Sequence, residues 1–253
     1  MSSTGYERVA VVTGGASGIG LAISERLAVD GIAVAVLDRN REAAKTTADK
    51  INADGGNAVG LGVDVTDRAG LETAREAITE QLGAPAILVN NAGIDGFGPF
   101  LGISLETWNR TLEVNLTGTF HCCQVFLPAM VEAGWGRIVN ISSSSAQSGQ
   151  PHMAHYVSSK AAMIGLTKSL ALEFGPKGIT VNTIPPGFID TPLLRKSEER
   201  GFLGEGVEHH AKLTPVRRAG RPEDIAAMTS FIVRDEASYI TGQVLGVNGG
   251  RNT

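Results

Sequence analysis

The chain has 253 residues, 42% of them hydrophobic and 19% charged, with a net charge of −4. That composition suits a water-soluble chain with an ample core and excludes disorder as the main state. The mild negative charge without a long basic run gives nucleic acid or an anionic membrane no electrostatic footprint, so small molecules are the expected ligands. Thirty-two glycines are nearly twice the usual share of about 7%, yet they follow no Gly-X-Y period, which excludes collagen and leaves position to explain them.

Taken in chain order, short β-branched runs alternate with segments whose apolar residues recur at spacings of three and four. The expected strands are Arg8 to Thr13, Ala33 to Leu37, Ala58 to Val65, Ala86 to Asn90, Arg137 to Ser142, Ile179 to Ile184 and Gln243 to Val247. Patterns such as Ile19-Ala22-Ile23-Leu27 and Leu71-Ala74-Ala77-Ile78 supply the intervening helices. Seven strands joined by crossover helices predict a single α/β domain over residues 1–253. Its sheet is doubly wound, parallel and seven-stranded, with helices on both faces. One stretch departs from this rhythm. Residues 190–221 are charged, glycine-interrupted and edged by prolines, as expected for a loop and short helix lying over a ligand cleft. No apolar run reaches the ~20 residues of a membrane span and the first residues lack a signal-peptide core, which points to a cytoplasmic protein. Cys122 and Cys123 are sequence neighbours in an apolar stretch and read as buried thiols.

The first strand runs into Thr13-Gly14-Gly15-Ala16-Ser17-Gly18-Ile19-Gly20, and a helix follows. Glycines there allow a tight turn and let backbone N–H groups approach a pyrophosphate held at the helix N-terminus. The second strand ends in Asp38, at the offset expected of a carboxylate that accepts hydrogen bonds from an adenosine ribose. The same carboxylate repels a 2′-phosphate, so NAD is favoured over NADP. Arg39 and Arg41 work in the other direction, while Ser17 stands at a turn position where a basic residue would help a phosphate.

With Asn90-Asn91-Ala92-Gly93 and then Tyr156-Val-Ser-Ser-Lys160, the glycine turn resembles the short-chain dehydrogenase/reductase family from Val9 to Gly250, with a general likeness to its 3-oxoacyl-carrier-protein-reductase-like branch. The resemblance implies a Rossmann-fold domain. It places Gly14, Ser17, Gly18, Ile19, Gly20, Asp38, Asn91, Ala92 and Gly93 on the cofactor, with Asp64 and Val65 flanking the adenine. Pro186, Gly187, Ile189 and Thr191 fall beside the nicotinamide. It also selects Ser143 from the run Ser142 to Ser145, and makes Asn115 a partner of the lysine through a held water. Asn90 is expected to tie neighbouring strands instead. No metal is called for.

The chemistry of Tyr156 and Lys160 can be argued directly. Interconverting a secondary alcohol and a ketone needs a group that takes or gives the hydroxyl proton. A phenol with a pKa near 10 needs help to serve as base, and a lysine one helical turn away is placed to lower that pKa. Tyr156 and Lys160 also touch the cofactor in this reading, and Ser143 steadies the substrate oxygen. The expected activity is therefore NAD(H)-dependent oxidation and reduction of an apolar hydroxy compound, such as a 3-oxoacyl thioester or a steroid. An NADP(H)-dependent 3-oxoacyl-carrier-protein reductase of fatty-acid synthesis is the alternative, and a non-catalytic dinucleotide sensor or scaffold is the alternative of another class. The resemblance further implies a homotetramer built on the helices around Leu105 to Val131 and Met153 to Phe174. Pocket candidates include Asp95, Phe97, Ser145, His152 and Phe188, and they leave the alcohol unspecified.

Overall fold

In a computed structural model that describes residues 8–252, six parallel strands form one sheet in the order β3-β2-β1-β4-β5-β6. The strands are β1 (Val9–Thr13), β2 (Ala33–Asp38), β3 (Ala58–Gly62), β4 (Pro85–Asn90), β5 (Gly136–Ile141) and β6 (Ile179–Ile184). Every residue of β1, β5 and β6 is buried, as a parallel strand covered on both faces requires. Alternate side chains feed two separate cores. Ala10 and Val12 join Ile23 and Leu27 of α1 (Gly18–Val29), Ala44 and Ile51 of α2 (Arg41–Ala53) and Ile225 of α10 (Pro222–Ile232). Val9 and Val11 join Leu71 and Ile78 of α3 (Arg68–Gln81), Phe126 and Met130 of α5 (Gly118–Ala133) and Ala171 of α7 (Ala154–Phe174). The strand order reverses between β1 and β4, so their loops part at the carboxyl edge and open a crevice there. Cys122 and Cys123 are buried in the second core, where burial pushes both thiols upward in pKa.

The expected seventh strand does not form. Residues 243–247 run parallel to β6 and meet it only at isolated bridges, Thr183 with Val244 and Pro186 with Val247. The reason lies in β6's continuation. Thr183 N donates to Gln243 O at 3.0 Å and Leu245 N donates to Thr183 O at 2.9 Å, after which the next donor would be residue 185. Pro185 has no N–H, so that rung is missing, and the contact resumes with Val247 N to Pro185 O at 3.4 Å and Gly187 N to Val247 O at 3.0 Å.

Two other boundaries differ from expectation. β3 stops at Gly62, because Asp64 turns the chain by accepting from Thr66 N and Thr66 Oγ1 at 2.9 and 2.8 Å. The long helical stretch after Leu105 is not one α-helix. It consists of α4 (Leu105–Leu112), a π-helical turn (Glu113–Thr117) and α5, and Gly118 N reaches back to Glu113 O. Such a turn admits an extra residue into the helix and often marks a functional position. Asn115 sits inside it. Residues 190–221 hold two short helices, α8 (Pro192–Glu199) and α9 (Gly206–Leu213).

Candidate active site

The glycine turn is bolted to the loop after β4. Thr13 Oγ1 accepts from Asn91 N and Ala92 N, both at 3.1 Å, while Asn91 Nδ2 donates to Thr13 O at 3.0 Å and Gly14 O at 3.1 Å. The NH2 end of the Asn91 amide thus holds the turn against the loop. Gly20 is indispensable to this packing: a Cβ there would lie 2.1 Å from Gly14 O and 2.5 Å from Asn91 Nδ2. Ile19 packs against the first core. Ser17 is the N-cap of α1, yet its hydroxyl caps nothing, so no side chain closes the first turn of the helix. Those N–H donors at the positive end of a helix dipole fit a pyrophosphate.

The remaining predicted cofactor residues surround the same crevice. Asp38 ends β2 with Oδ1 held by Asn40 N at 3.0 Å. Asp64 has its carboxyl pKa lowered, first by the Thr66 backbone N–H, and Val65 is buried beside Gly118. Pro186 O accepts from Ser144 N at 2.9 Å, and Gly187 lets Asn248 pass, because a Cβ there would lie 2.6 Å from Asn248 Cα. Ile189 is buried and bridges to Gly220. Thr191 caps α8 by accepting from Leu194 N at 3.2 Å and faces Gly18, whose added Cβ would sit 3.5 Å from Thr191 Cγ2. The start of the lid thus meets the glycine turn.

Ser143, Tyr156, Lys160 and Asn115 come from three elements and converge under Gly93. A Cβ on Gly93 would stand 3.1 Å from Asn115 Oδ1 and 3.3 Å from Lys160 Nζ, so glycine keeps the space above both clear. Lys160 is buried, donates to Ile141 O at 2.9 Å, and has its pKa pushed down to about 8 by that burial. Tyr156 is half-buried. Burial pushes its pKa up, the Ser143 hydroxyl opposes this by hydrogen bonding, and the Asp95 carboxylate adds to the rise. The expected lowering by Lys160 is therefore absent here. Its ammonium is turned to the Ile141 carbonyl and stands 6.0 Å from the phenol ring centroid.

Each serine of the run has a different setting. Ser142 Oγ donates to Lys160 O at 2.8 Å and is structural. Ser143 Oγ lies 2.8 Å from Ser145 Oγ. Ser144 is held by its backbone, N–H on Pro186 O and C=O on Asn252 Nδ2 at 2.6 Å. Asn115 uses both ends of its amide, accepting from Ile94 N at 2.8 Å and donating to Ile94 O and Ser159 Oγ at 3.0 Å each. The side chain is thus occupied, and the π-helical turn is what accommodates it. Asn90 Nδ2 donates to Asn140 Oδ1 at 2.8 Å and ties β4 to β5.

Residues 190–221 meet the loop after β4 at two contacts. Ser197 Oγ donates to Asp95 Oδ2 at 2.7 Å, and Phe97 stacks on Phe202 with ring centroids 4.9 Å apart. His155 is buried against Gly96 and its pKa is lowered by desolvation, while His152 adopts a left-handed φ of 63° and accepts from Gly98 N at 2.8 Å. Among the described residues no group of three His, Cys, Asp or Glu side chains could hold a metal ion, and no helix is long and apolar enough to cross a membrane. Sequence reasoning missed Asn252, for which no local motif exists, while Ser197 falls in the segment Leu193 to Leu203 that it did single out as pocket-lining.

Comparison with known proteins places this arrangement. Residues 14–252 match the family model described as enoyl-(acyl carrier protein) reductase. The short-chain reductase protein NovJ of Streptomyces niveus is 40% identical, covering 97% of this chain and 94% of that protein. The chain belongs to the short-chain dehydrogenase/reductase family. Within it, the FabG 3-oxoacyl-[acyl-carrier-protein] reductase of Aquifex aeolicus is 41% identical, covering 96% of each chain, so the relationship to the 3-oxoacyl-carrier-protein-reductase-like branch holds. A variant of actinorhodin polyketide ketoreductase, crystallised with NADPH, superimposes with a TM-score of 0.93 at 36% identity over 99% of this chain and 98% of that one. This short-chain dehydrogenase/reductase is thus an oxidoreductase acting on CH–OH or keto groups with a nicotinamide dinucleotide. The expectation from Asp38 ranks NADP below NAD, and the NADPH of that neighbour removes this ranking.

Proposed function

We propose that this enzyme interconverts a secondary alcohol and a ketone with an apolar body, and that Tyr156 transfers the hydroxyl proton. The observation that carries the proposal is the convergence of a half-buried phenol, the Ser143 hydroxyl beside it and a buried lysine next to Gly93, in the loop whose Asn91 holds the glycine turn. A bound nicotinamide dinucleotide supplies or accepts the hydride. In ketone reduction Tyr156 is the proton donor, and the rise in its pKa keeps the phenol protonated at neutral pH. Ser143 donates to the substrate oxygen and stabilises the charge that develops there. Lys160 holds its amine near the phenol and the ribose side of the crevice. Phe97, Phe202 and Phe188 give the entrance its apolar character. The test is a panel of cyclohexanone, a 3-oxobutanoyl thioester and a 3-oxosteroid with the reduced cofactors, run alongside the matching alcohols with the oxidised ones. Background rates throughout, with dinucleotide still bound, would instead support a non-catalytic sensor.

For the cofactor, the Asp38 carboxylate supports NAD(H), because Oδ2 is left to accept from a ribose hydroxyl and would repel a 2′-phosphate. The reading as an NADP(H)-dependent 3-oxoacyl-carrier-protein reductase has its own support in Arg39, Arg41 and the NADPH of the ketoreductase neighbour. Asp38→Ser decides between them. Under the NAD(H) reading it narrows the ratio of kcat/KM for NADH over NADPH by about tenfold or more, the effect of removing one repulsive charge and its hydrogen bonds. Equal use of NADPH by the unmodified enzyme would overturn that reading.

A cytoplasmic homotetramer belongs to the same proposal. Leu101 and Leu105 near α4 and Leu172 on α7 are 98%, 73% and 83% exposed, which leaves apolar surface for subunit contacts. Light scattering reads the assembly directly.

A further inference from the structure

We propose that Ser145 is a positioning residue that keeps the Ser143 hydroxyl proton aimed at the reacting oxygen. This rests on the proposed role of Ser143. A serine hydroxyl has one proton to give and two lone pairs to fill. Ser145 lies at two points within reach of Ser143 Oγ: its backbone N–H donates at 3.2 Å, and the two hydroxyl oxygens are 2.8 Å apart.

The direction of the hydroxyl pair follows from the partners available. Among the described residues the Ser145 hydroxyl has one hydrogen-bond partner, Ser143 Oγ, whereas the Ser143 hydroxyl lies close enough to Tyr156 to favour its phenolate. If Ser143 donated to Ser145, its proton would be turned away from the phenol and the Ser145 proton would have no acceptor among the described residues. When Ser145 donates, both lone pairs of Ser143 are filled from one residue and its proton is free only in the forward direction. Donation in series also polarises each hydroxyl along the chain. The Ser144 peptide between the two is clamped by Pro186 O on one side and Asn252 Nδ2 on the other, so the pair is set before substrate arrives.

The test uses the full-length enzyme with cyclohexanone and a 3-oxobutanoyl thioester. Ser145→Ala is expected to lower kcat about tenfold with dinucleotide affinity unchanged, the scale of a weakened oxyanion donor. Ser145→Thr, which keeps the hydroxyl, restores most of the rate. In Ser145→Ala the phenol's limb of the pH–rate profile moves upward, because its stabilising donor is less well aimed. The other groups facing that phenol, Lys160 on its own helix, Asp95 from the loop after β4 and the neighbouring His155, are unaltered. In a Ser143→Ala background the substitution has no further effect. Equal losses in the two backgrounds, or full activity of Ser145→Ala beside an impaired Ser143→Ala, would overturn the proposal alone. Full activity of Ser143→Ala would overturn the role of that serine as well.

Discussion

Tyr156→Phe is expected to lower kcat by roughly 10²–10⁴, the contribution of a positioned proton donor, while the affinity for dinucleotide stays unchanged. The phenol is half-buried with the Ser143 hydroxyl beside it, and phenylalanine removes only the oxygen that would give the proton. The phenyl ring keeps the packing, so folding is preserved and the loss is confined to the proton step. The pH–rate profile also changes character, since the limb belonging to the phenol disappears. Steady-state rates with the substrate panel and a direct titration of NADH give both quantities. A variant retaining more than a tenth of the rate would assign the proton to another group.

Lys160→Met is expected to move activity and stability in opposite directions. Activity falls by about two orders of magnitude or more, because the buried amine that stands beside the phenol is lost, and dinucleotide binding weakens with it. Stability of the cofactor-free protein rises. Burial holds the folded pKa of Lys160 near 8, against 10.5 when exposed, so the folded chain binds this proton less tightly than the unfolded one. Its contribution therefore improves as pH climbs from about 8 to about 10.5, and below 8 it is a constant burden on the order of 3 kcal/mol. Removing the amine also strips Ile141 O of its donor at a cost of about 1 kcal/mol, which leaves a net gain near neutral pH of about 2 kcal/mol. The gain fades and reverses above pH 10.5, where the wild-type amine is neutral in both states. Melting temperatures of the two proteins across this range check the sign, and equal values at neutral pH would overturn it.

The alternating pattern carried most of the fold into view, because strands such as Val9–Thr13 and Ile179–Ile184 are buried on both faces and read as unbroken β-branched runs. It failed at residues 243–247, where the local pattern is strand-like and the obstacle, Pro185, stands on the neighbouring chain segment. Asn115 could be singled out as an odd residue in an apolar helix, but its commitment to Ile94 and the π-helical turn around it depend on a loop 21 residues earlier. Tyr156 and Lys160 were legible by their spacing on one helix. The direction of their pKa shifts was not, since it is set by burial, with Ser143 and Asp95 also acting on the phenol. Asn252, 108 residues from Ser144 along the chain, gives no sequence signal at all.

The missing rung at Pro185 joins this last contact to the kinetics of opening. The segment after residue 242 hangs on β6 by four backbone bonds with a gap in their middle, and it ends in the Asn252 side chain that grips the serine turn after β5. Its amides should therefore exchange with solvent through local unpeeling, well before the buried strands β1 and β4 release theirs. Each such excursion takes the Asn252 donor from the Ser144 carbonyl, so the exchange rate of Val247 measured by mass spectrometry reports how often the serine turn loses this tether while the fold stays closed.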